Sequence, residues 1–178
     1  MMCCFVIVEL NMILFSCASV PSNLHLSIRR QRQQWLIDRP NKFVFPEGTV
    51  VTADSAIRLA QPLTDRCHAN LQQDSTGPAP ETLAVAAIRE LWEETGLMLG
   101  ALEAWPDAPE EWADFAQAGF RPSAANMYFF FRAITPPGAP RRFDARFFLV
   151  NADQLSGDLD DFSNASDELS HLQWVCLD

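Results

Sequence analysis

The sequence predicts one domain of mixed α and β structure, an α/β or α+β sandwich with a mixed sheet around one conspicuous helix. Pro80 suits the first turn of a helix and Gly96 suits the position after its end, so the two bracket a helix of about four turns. Residues 126–134 and 143–150 are rich in aromatic and β-branched side chains, which is typical of strands. The 178 residues are enough for a sizeable core, so residues 1–178 are interpreted as a single domain.

The first half of the chain is predicted to contain short strands and one long insert. Residues 1–20 are apolar but have no basic leader region and are too short and too polar to span a bilayer, so a buried strand over roughly residues 5–15 is favoured over a signal or anchor. Residues 24–30 alternate apolar and polar side chains and indicate a second strand, and residues 43–45 indicate a third. Residues 49–80 are rich in Asp, Thr, Gln, Ser and Pro and are interpreted as an insert over the site, with a short helix near residues 53–60.

The helix and the segments after it contain candidate core residues. Five apolar side chains of the helix can face a core together, while its glutamates face away: Leu83, Ala84, Ala87, Ile88 and Leu91. A packed helical segment is expected over residues 109–117, a turn over residues 136–138 and a last short strand over residues 172–177. Three aromatics are interpreted as core side chains, with stacking on a ligand as the alternative: Trp105, Trp112 and Phe115.

Composition and charge narrow the class of partner. The net charge is −10 and the pI about 4.6, which argues against nonspecific nucleic-acid binding, and no membrane interaction is expected. A phosphate-bearing substrate stays compatible, because residues 24–45 concentrate basic side chains: Arg29, Arg30, Arg32, Arg39 and Lys42. The five cysteines are odd in number and fit no zinc or disulfide spacing, so reduced thiols and a cytoplasmic location are expected. A peroxisomal or mitochondrial location stays open if the source is eukaryotic, as does a homodimer.

Residues 89–97 carry the strongest chemical signal in the chain and read Arg-Glu-Leu-Trp-Glu-Glu-Thr-Gly-Leu. On a helix, Glu90, Glu93 and Glu94 share one face, where three carboxylates repel one another unless a cation lies against them. Hard oxygen ligands suit Mg²⁺ or Mn²⁺. A solvated acidic face is the alternative, but average residue usage gives a chance match to the whole pattern on the order of once in 100,000 chains of this length.

This stretch resembles the core of the Nudix box, whose pattern is Arg-Glu-apolar-x-Glu-Glu-x-Gly-apolar, preceded by a glutamate and a glycine. Glu81 lies at the glutamate position, with seven residues between it and Arg89. Ser75 stands where the compact pattern has its glycine. The resemblance therefore covers the metal-binding part of the box and departs from it at the start.

A second string resembles the loop that opens the box. Residues 45–48 read Phe-Pro-Glu-Gly, similar to the Phe-Pro-Gly-Gly of many Nudix members, and Glu47 stands at the first glycine. Gly48 is therefore interpreted as the box glycine, displaced by the long insert. The insert, together with residues 132–136 and 142–148, resembles the branch that includes the peroxisomal coenzyme A diphosphatases and their bacterial relatives.

The Nudix resemblance implies an α/β/α sandwich and a metal-dependent hydrolase that cleaves a nucleoside diphosphate linked to another group. Glu90 and Glu94 are implied to bind Mg²⁺ or Mn²⁺ directly, and Glu93 a second ion or its water, with any of the three as the base. The backbone carbonyl at Glu47 is implied as a further metal ligand. Arg89 is also a candidate catalytic residue. It is expected to pair with a neighbouring carboxylate rather than to contact the substrate.

The branch resemblance implies coenzyme A or acyl-coenzyme A as the small-molecule substrate. The alternatives are ADP-ribose or a nucleotide sugar and, from a different class, a catalytically weakened Nudix-fold module that binds a nucleotide or a partner. Arg29 and Arg30 are candidates for contacts with substrate phosphates, with scattered surface arginines as the alternative. Arg142, Asp144 and Arg146 alternate along a strand, so the two arginines line a substrate groove or join a cross-strand ion pair.

Overall fold

The computed structural model of the protein combines helices with small sheets, so the predicted mixed α/β class is confirmed. It describes residues 3–8, 12–19, 43–44, 47–138, 143–159, 161 and 171–176. The described strands are β1 (Cys3–Val8), β2 (Met12–Ser19), β3 (Phe43–Val44), β4 (Glu47–Thr49), β5 (Gly100–Leu102), β6 (Phe120–Pro122), β7 (Tyr128–Ile134), β8 (Asp144–Asn151) and β9 (His171–Cys176). The described α-helices are α1 (Asp65–Gln72), α2 (Pro80–Thr95) and α3 (Ala113–Gln117), and 3₁₀ turns cover Thr52–Ala56, Glu110–Trp112 and Ala152–Gln154.

The described strands form three sheets. The largest has the order β4-β2-β8-β7, in which β2 is parallel to β4 and antiparallel to β8, and β8 is antiparallel to β7. The second has the order β3-β1-β9, with β1 parallel to both neighbours, and β5 pairs with β6 antiparallel. Helix α2 contacts β2 and β4, so the helix that carries the motif lies against the β4 edge of the largest sheet.

The N-terminal apolar run differs from its prediction. The sequence predicts one strand over residues 5–15, whereas the structure has two, β1 and β2, which belong to different sheets. An apolar run does not reveal where a chain passes between sheets, because both strands need apolar side chains. Glu9 and Asn11, between the two strands, are the polar signal of the break. The strand predicted at residues 24–30 lies outside the described residues.

Helix α2 has its predicted bounds because both of its end signals are local. Pro80 stands at the first turn, where the missing N–H has no helical partner to lose. Gly96 caps the other end with a left-handed backbone (φ 75°), and its N–H donates to the carbonyl of Trp92. A short sequence window contains both signals, which is why the sequence alone located this helix.

The burial of α2 is more complete than predicted. The five side chains predicted for the core face are fully buried, and Val85 and Ala86, which were not predicted there, are fully buried as well. Glu90 and Glu94, expected to face away from the core, are also buried, at 1% and 6% exposure, and Glu93 alone of the three is exposed. The prediction that Glu90 and Glu94 face away from the core is therefore wrong. These residues are buried because β4 and the Thr52–Ala56 turn pack against this part of the helix.

The insert contains a helix, α1, that the sequence analysis did not predict. The side chain of Thr64 accepts the N–H of Cys67 and caps the start of α1. The helix predicted near residues 53–60 is instead a short 3₁₀ turn. The backbone after that turn pairs with a distant segment, because the N–H of Ala60 donates to the carbonyl of Pro122 in β6. A long-range hydrogen bond thus overrides the local helical preference.

An aromatic cluster packs at the C-terminal end of α2. Trp92 stacks on Trp112 with ring centroids 6.1 Å apart and meets Phe115 edge-on at 5.5 Å. Trp105 packs on Trp112 at 5.9 Å. Trp105, Trp112 and Phe115 are buried, so they are core aromatics, as predicted. The helical segment predicted over residues 109–117 is present as a 3₁₀ turn followed by α3.

The later strands follow their predictions closely. Strands β7, β8 and β9 begin and end within two residues of the predicted bounds, and the described part of the turn at residues 136–138 includes Gly138 with positive φ. Strands β4, β5 and β6 are three residues long each and were not predicted as such, since so short a strand shows no readable periodicity. Among the described helices, none is long and apolar enough to cross a membrane.

Candidate functional site

Arg89 is the centre of the polar cluster at the motif, and its side chain is 8% exposed. Its Nε donates to Asp54 Oδ1 at 2.9 Å and its Nη2 to Asp54 Oδ2 at 3.3 Å. Its Nη1 donates to Glu90 Oε1 at 2.9 Å and to Glu93 Oε2 at 3.1 Å. Its Nη2 also donates to the carbonyl of Thr49 at 3.0 Å. The expected pairing with a neighbouring carboxylate is present, and one guanidinium joins α2 to β4 and to the Thr52–Ala56 turn.

The surroundings of Arg89 stabilise its charge in spite of burial. Burial opposes the charged form, but the hydrogen bonds to Asp54 and the negative charge of Glu90 outweigh it, so the pKa of Arg89 is raised above its usual value. An arginine in this setting is a permanent cation. It therefore holds carboxylates by donating hydrogen bonds, and it does not release its proton to act as a general acid or base.

Glu90 is held from two directions. Its Oε1 accepts the Nη1 of Arg89 at 2.9 Å and the backbone N–H of Thr49 at 3.1 Å. With 1% exposure, the residue has little freedom to take another rotamer. The helix and β4 thus fix one carboxylate oxygen between them, although 41 residues separate Thr49 from Glu90 in the sequence.

Gly48 lies against the side chain of Glu90. A Cβ at position 48 would stand 1.6 Å from Cδ of Glu90, 1.9 Å from Cγ and 2.0 Å from Oε1. Gly48 is not among the glycines with positive φ, so the need for glycine here is the space that Glu90 occupies. Glu47 precedes it in β4, paired in register with Ser16; the backbone of Glu47 is described and its side chain is not.

Glu93 and Glu94 complete the acidic group on α2. Glu93 is exposed and contacts Arg89, whereas Glu94 is buried and lies one turn after Glu90. Carboxylate oxygens are the donors that Mg²⁺ and Mn²⁺ prefer, so the residue types fit such an ion. In the described part of the chain, no three His, Cys, Asp or Glu side chains form a group that could hold a metal as they stand. The carboxylates of Glu90 and Glu93 converge on the guanidinium.

Arg146, predicted as a substrate contact, is a buried member of a partly exposed ion-pair network. It is 1% exposed, and its Nη1 lies 2.8 Å from Asp144 Oδ2, while Nη2 donates to Ser75 Oγ at 3.2 Å. Across the strands, Nε and Nη2 of Arg132 donate to the two carboxylate oxygens of Asp144 at 2.7 and 2.9 Å. These contacts correspond to the ion-pair alternative of the sequence analysis, and they join the end of the insert to β8.

The two arginines of the network lower the pKa of Asp144. The hydrogen bond from Arg132 and the charge of Arg146 lower the pKa of Asp144 against the opposing effect of burial. The hydrogen bond to Asp144 in turn raises the pKa of Arg132. Asp144 and Arg132 therefore stay charged at neutral pH, and their ion pair joins β7 to β8.

Several site residues lie outside the described part of the chain or were not predicted. Arg29, Arg30 and Arg142 are outside the described residues, so their predicted phosphate contacts stay predictions. Asp54 was not predicted. Its signal in the sequence is its spacing: five residues separate it from Gly48, as the box pattern places five residues between its glycine and its first acid.

The arrangement can present a carboxylate oxygen of α2 beside the backbone of β4, in a geometry that Arg89 and Thr49 hold in place. Carboxylate oxygens are suitable ligands for a hard cation, and Arg89 donates hydrogen bonds to Glu90 and Glu93. Comparison of the chain with protein-family models, with curated proteins and with solved structures found no match.

Proposed function

We propose that the protein is a metal-dependent Nudix diphosphohydrolase with an α/β/α sandwich fold. The observation that carries the proposal is the contact between Gly48 and Glu90, where a glutamate of the motif fills the space that a Cβ would take. In the Nudix box a glycine loop and the acidic helix act together at one site. Here Gly48 of one string lies against Glu90 of the other, although the insert separates the two strings in the sequence.

The contact also supports Gly48, rather than Ser75, as the counterpart of the box glycine. Ser75 contacts Arg146 on β8, away from the motif in the described hydrogen bonds. The start of the insert, the Thr52–Ala56 turn, contacts the motif through the hydrogen bond from Arg89 to Asp54. An insert at this point is therefore compatible with an intact arrangement of loop and helix.

In the proposed mechanism Glu90, Glu93 and Glu94 would hold Mg²⁺ or Mn²⁺, with the backbone carbonyl at Glu47 as a further ligand. The ion would neutralise charge on a diphosphate and lower the pKa of a bound water. The residues of the chain supply orientation, because Arg89 holds the carboxylates of Glu90 and Glu93 in fixed rotamers. Any of the three glutamates could take the proton of the attacking water.

The proposed substrate is coenzyme A or acyl-coenzyme A, cleaved at its diphosphate. The support is the sequence resemblance of the insert and of residues 142–148 to the coenzyme A diphosphatase branch. ADP-ribose or a nucleotide sugar is the alternative within the same chemistry.

A binding module without turnover is the alternative from a different class. It is favoured by the departure from the family pattern at Glu47, which stands where the family has a glycine. The two functions differ in one outcome: a module binds a diphosphate in the presence of Mg²⁺ but leaves it intact.

Hydrolysis of a panel of diphosphates tests the proposal, with Mg²⁺, with Mn²⁺ and with a chelator. Activity is expected with either ion and not with the chelator. Glu94→Gln removes a proposed direct ligand and is expected to lower kcat/KM at least about 100-fold, since the ion supplies several kcal/mol of transition-state stabilisation. Glu111→Gln, the same change at an exposed site, serves as the matched control. Near-normal turnover by Glu94→Gln would contradict the metal assignment.

A further inference from the structure

Strand β7 presents an aromatic surface to solvent. Tyr128, Phe130 and Phe131 are 56%, 63% and 53% exposed, although phenylalanine is among the residues most often buried. Strand β7 is the last in the order β4-β2-β8-β7, so no described strand pairs with its outer edge. We propose that these three side chains, together called the β7 patch, are the contact through which two copies of the chain form a dimer.

The β7 patch faces away from the insert. Arg132 pairs in register with Arg146, which donates to Ser75 at the end of the insert, so this pair lies on the face that the insert covers. Phe131 pairs in register with Phe147, and consecutive residues of a strand point to opposite faces. The rings of Phe131 and Phe147 lie 5.7 Å apart. They therefore form an apolar surface on the other face of the sheet.

A bulge adds a further ring to this surface. The register between β7 and β8 shifts between Phe129 and Phe131, so Phe130 has no register partner in β8. Phe129 is half-buried, and its ring packs on Phe148 at 6.3 Å. Phe130 is the most exposed of the three phenylalanines in β7. The bulge thus places an aromatic ring in solvent, where it adds to the patch.

The size of the β7 patch fits the apolar part of a dimer interface. At about 200 Å² for each aromatic side chain, the exposed fractions correspond to roughly 350 Å². A stable contact buries about 800 Å² on each partner, of which roughly 500 Å² is apolar. The half-buried side chains of Phe147 and Leu149 on β8 border the patch. The patch therefore supplies most of the apolar area that one side of a dimer needs.

The charges around the patch favour a second copy over a charged partner. The chain has a net charge of −10, yet the three residues of the patch are uncharged. Arg132, the charged residue of β7, is already held by Asp144, with an N–O distance of 2.7 Å. Such a surface offers a charged partner no complementary group. An identical apolar patch fits it across a two-fold axis, which we place near Phe130, the middle residue of the three.

Sedimentation velocity of the whole chain tests for the dimer. Its dissociation constant is expected at about 1–100 μM, at the weak end for an interface of this size. Higher salt is expected to tighten the dimer, because it screens the repulsion between two chains of the same charge. A dimer that weakens in salt would overturn the apolar contact. A chain that stays monomeric at the highest concentration would overturn the dimer and assign the patch to another segment of the chain or to a different protein.

A charge in the patch tests whether β7 is the contact. Phe130→Glu places two like charges opposite each other and is expected to weaken the dimer at least about 100-fold. Leu102→Glu is the matched control, because Leu102 on β5 is 82% exposed and lies outside the patch. It is expected to change the dissociation constant less than about threefold. No loss in Phe130→Glu, or an equal loss in both variants, would overturn the assignment to β7.

A mixture of opposite charges tests whether the patch meets its own copy. Phe130→Lys alone is expected to be monomeric, like Phe130→Glu, and an equimolar mixture of the two is expected to restore the dimer. A mixture that stays monomeric, with both variants folded by circular dichroism, would overturn the two-fold contact. If the Phe130 variants do not fold, the same two substitutions at Tyr128 replace them. The inference does not depend on the proposed function, since a dimer without hydrolysis would overturn that function alone.

Discussion

Replacing Gly48 with alanine tests the close approach of β4 to α2. A Cβ at this position would overlap Cδ, Cγ and Oε1 of Glu90, at 1.6 to 2.0 Å, so the glutamate must move. Moving it breaks the hydrogen bonds from Arg89 and from the N–H of Thr49. Hydrogen bonds to a charged group contribute about 1.5–3 kcal/mol each, so Gly48→Ala is expected to lower the free energy of unfolding by roughly 3–6 kcal/mol if both are lost.

Urea denaturation of three variants measures this effect and identifies its cause. Glu90→Ala removes the three overlapping atoms, so in that background Gly48→Ala is expected to cost less than about 1 kcal/mol. Gly48 is not among the glycines with positive φ, so the backbone itself should tolerate alanine. An equal loss of stability in both backgrounds would refute the steric argument, and no loss in the wild-type background would refute the contact itself.

Three further predictions concern activity and stability. Glu47→Gly is expected to raise the rate of hydrolysis, because it restores the family glycine and removes a negative charge beside Gly48; unchanged rate and Mn²⁺ affinity would make Glu47 a tolerated variant. Coenzyme A is expected to exceed its dephospho form and ADP-ribose in kcat/KM by about one to two decades, if an arginine of residues 29–32 binds the 3′-phosphate at roughly 1.5–3 kcal/mol; equal values for the first two compounds would exclude that contact. The pKa of Asp144 is lowered, so its stabilisation is present above the ordinary value of 3.8 and is lost as the pH falls through the lowered pKa. Asp144→Asn should therefore lower the unfolding free energy at pH 7 and flatten its fall in acid; parallel pH profiles for wild type and variant would contradict this.

The sequence alone determined the features that depend on neighbours along the chain. Pro80 and Gly96 marked the ends of α2, since capping and φ preferences act within a single turn. The spacing of Glu90, Glu93 and Glu94 placed three carboxylates on one part of that helix. The aromatic and β-branched runs predicted β7 and β8, because each run is long enough to show its pattern.

Tertiary structure decided which distant segments meet these local features. The division of residues 5–15 between two sheets depends on pairing with β9 and β8, which no local pattern specifies. Glu90 is buried because Gly48 packs closely against its side chain. Arg89 finds its partner Asp54 only because the turn that contains Asp54 packs against α2. Such contacts join residues tens of positions apart, and their strength comes from burial and geometry that exist only once the chain is folded.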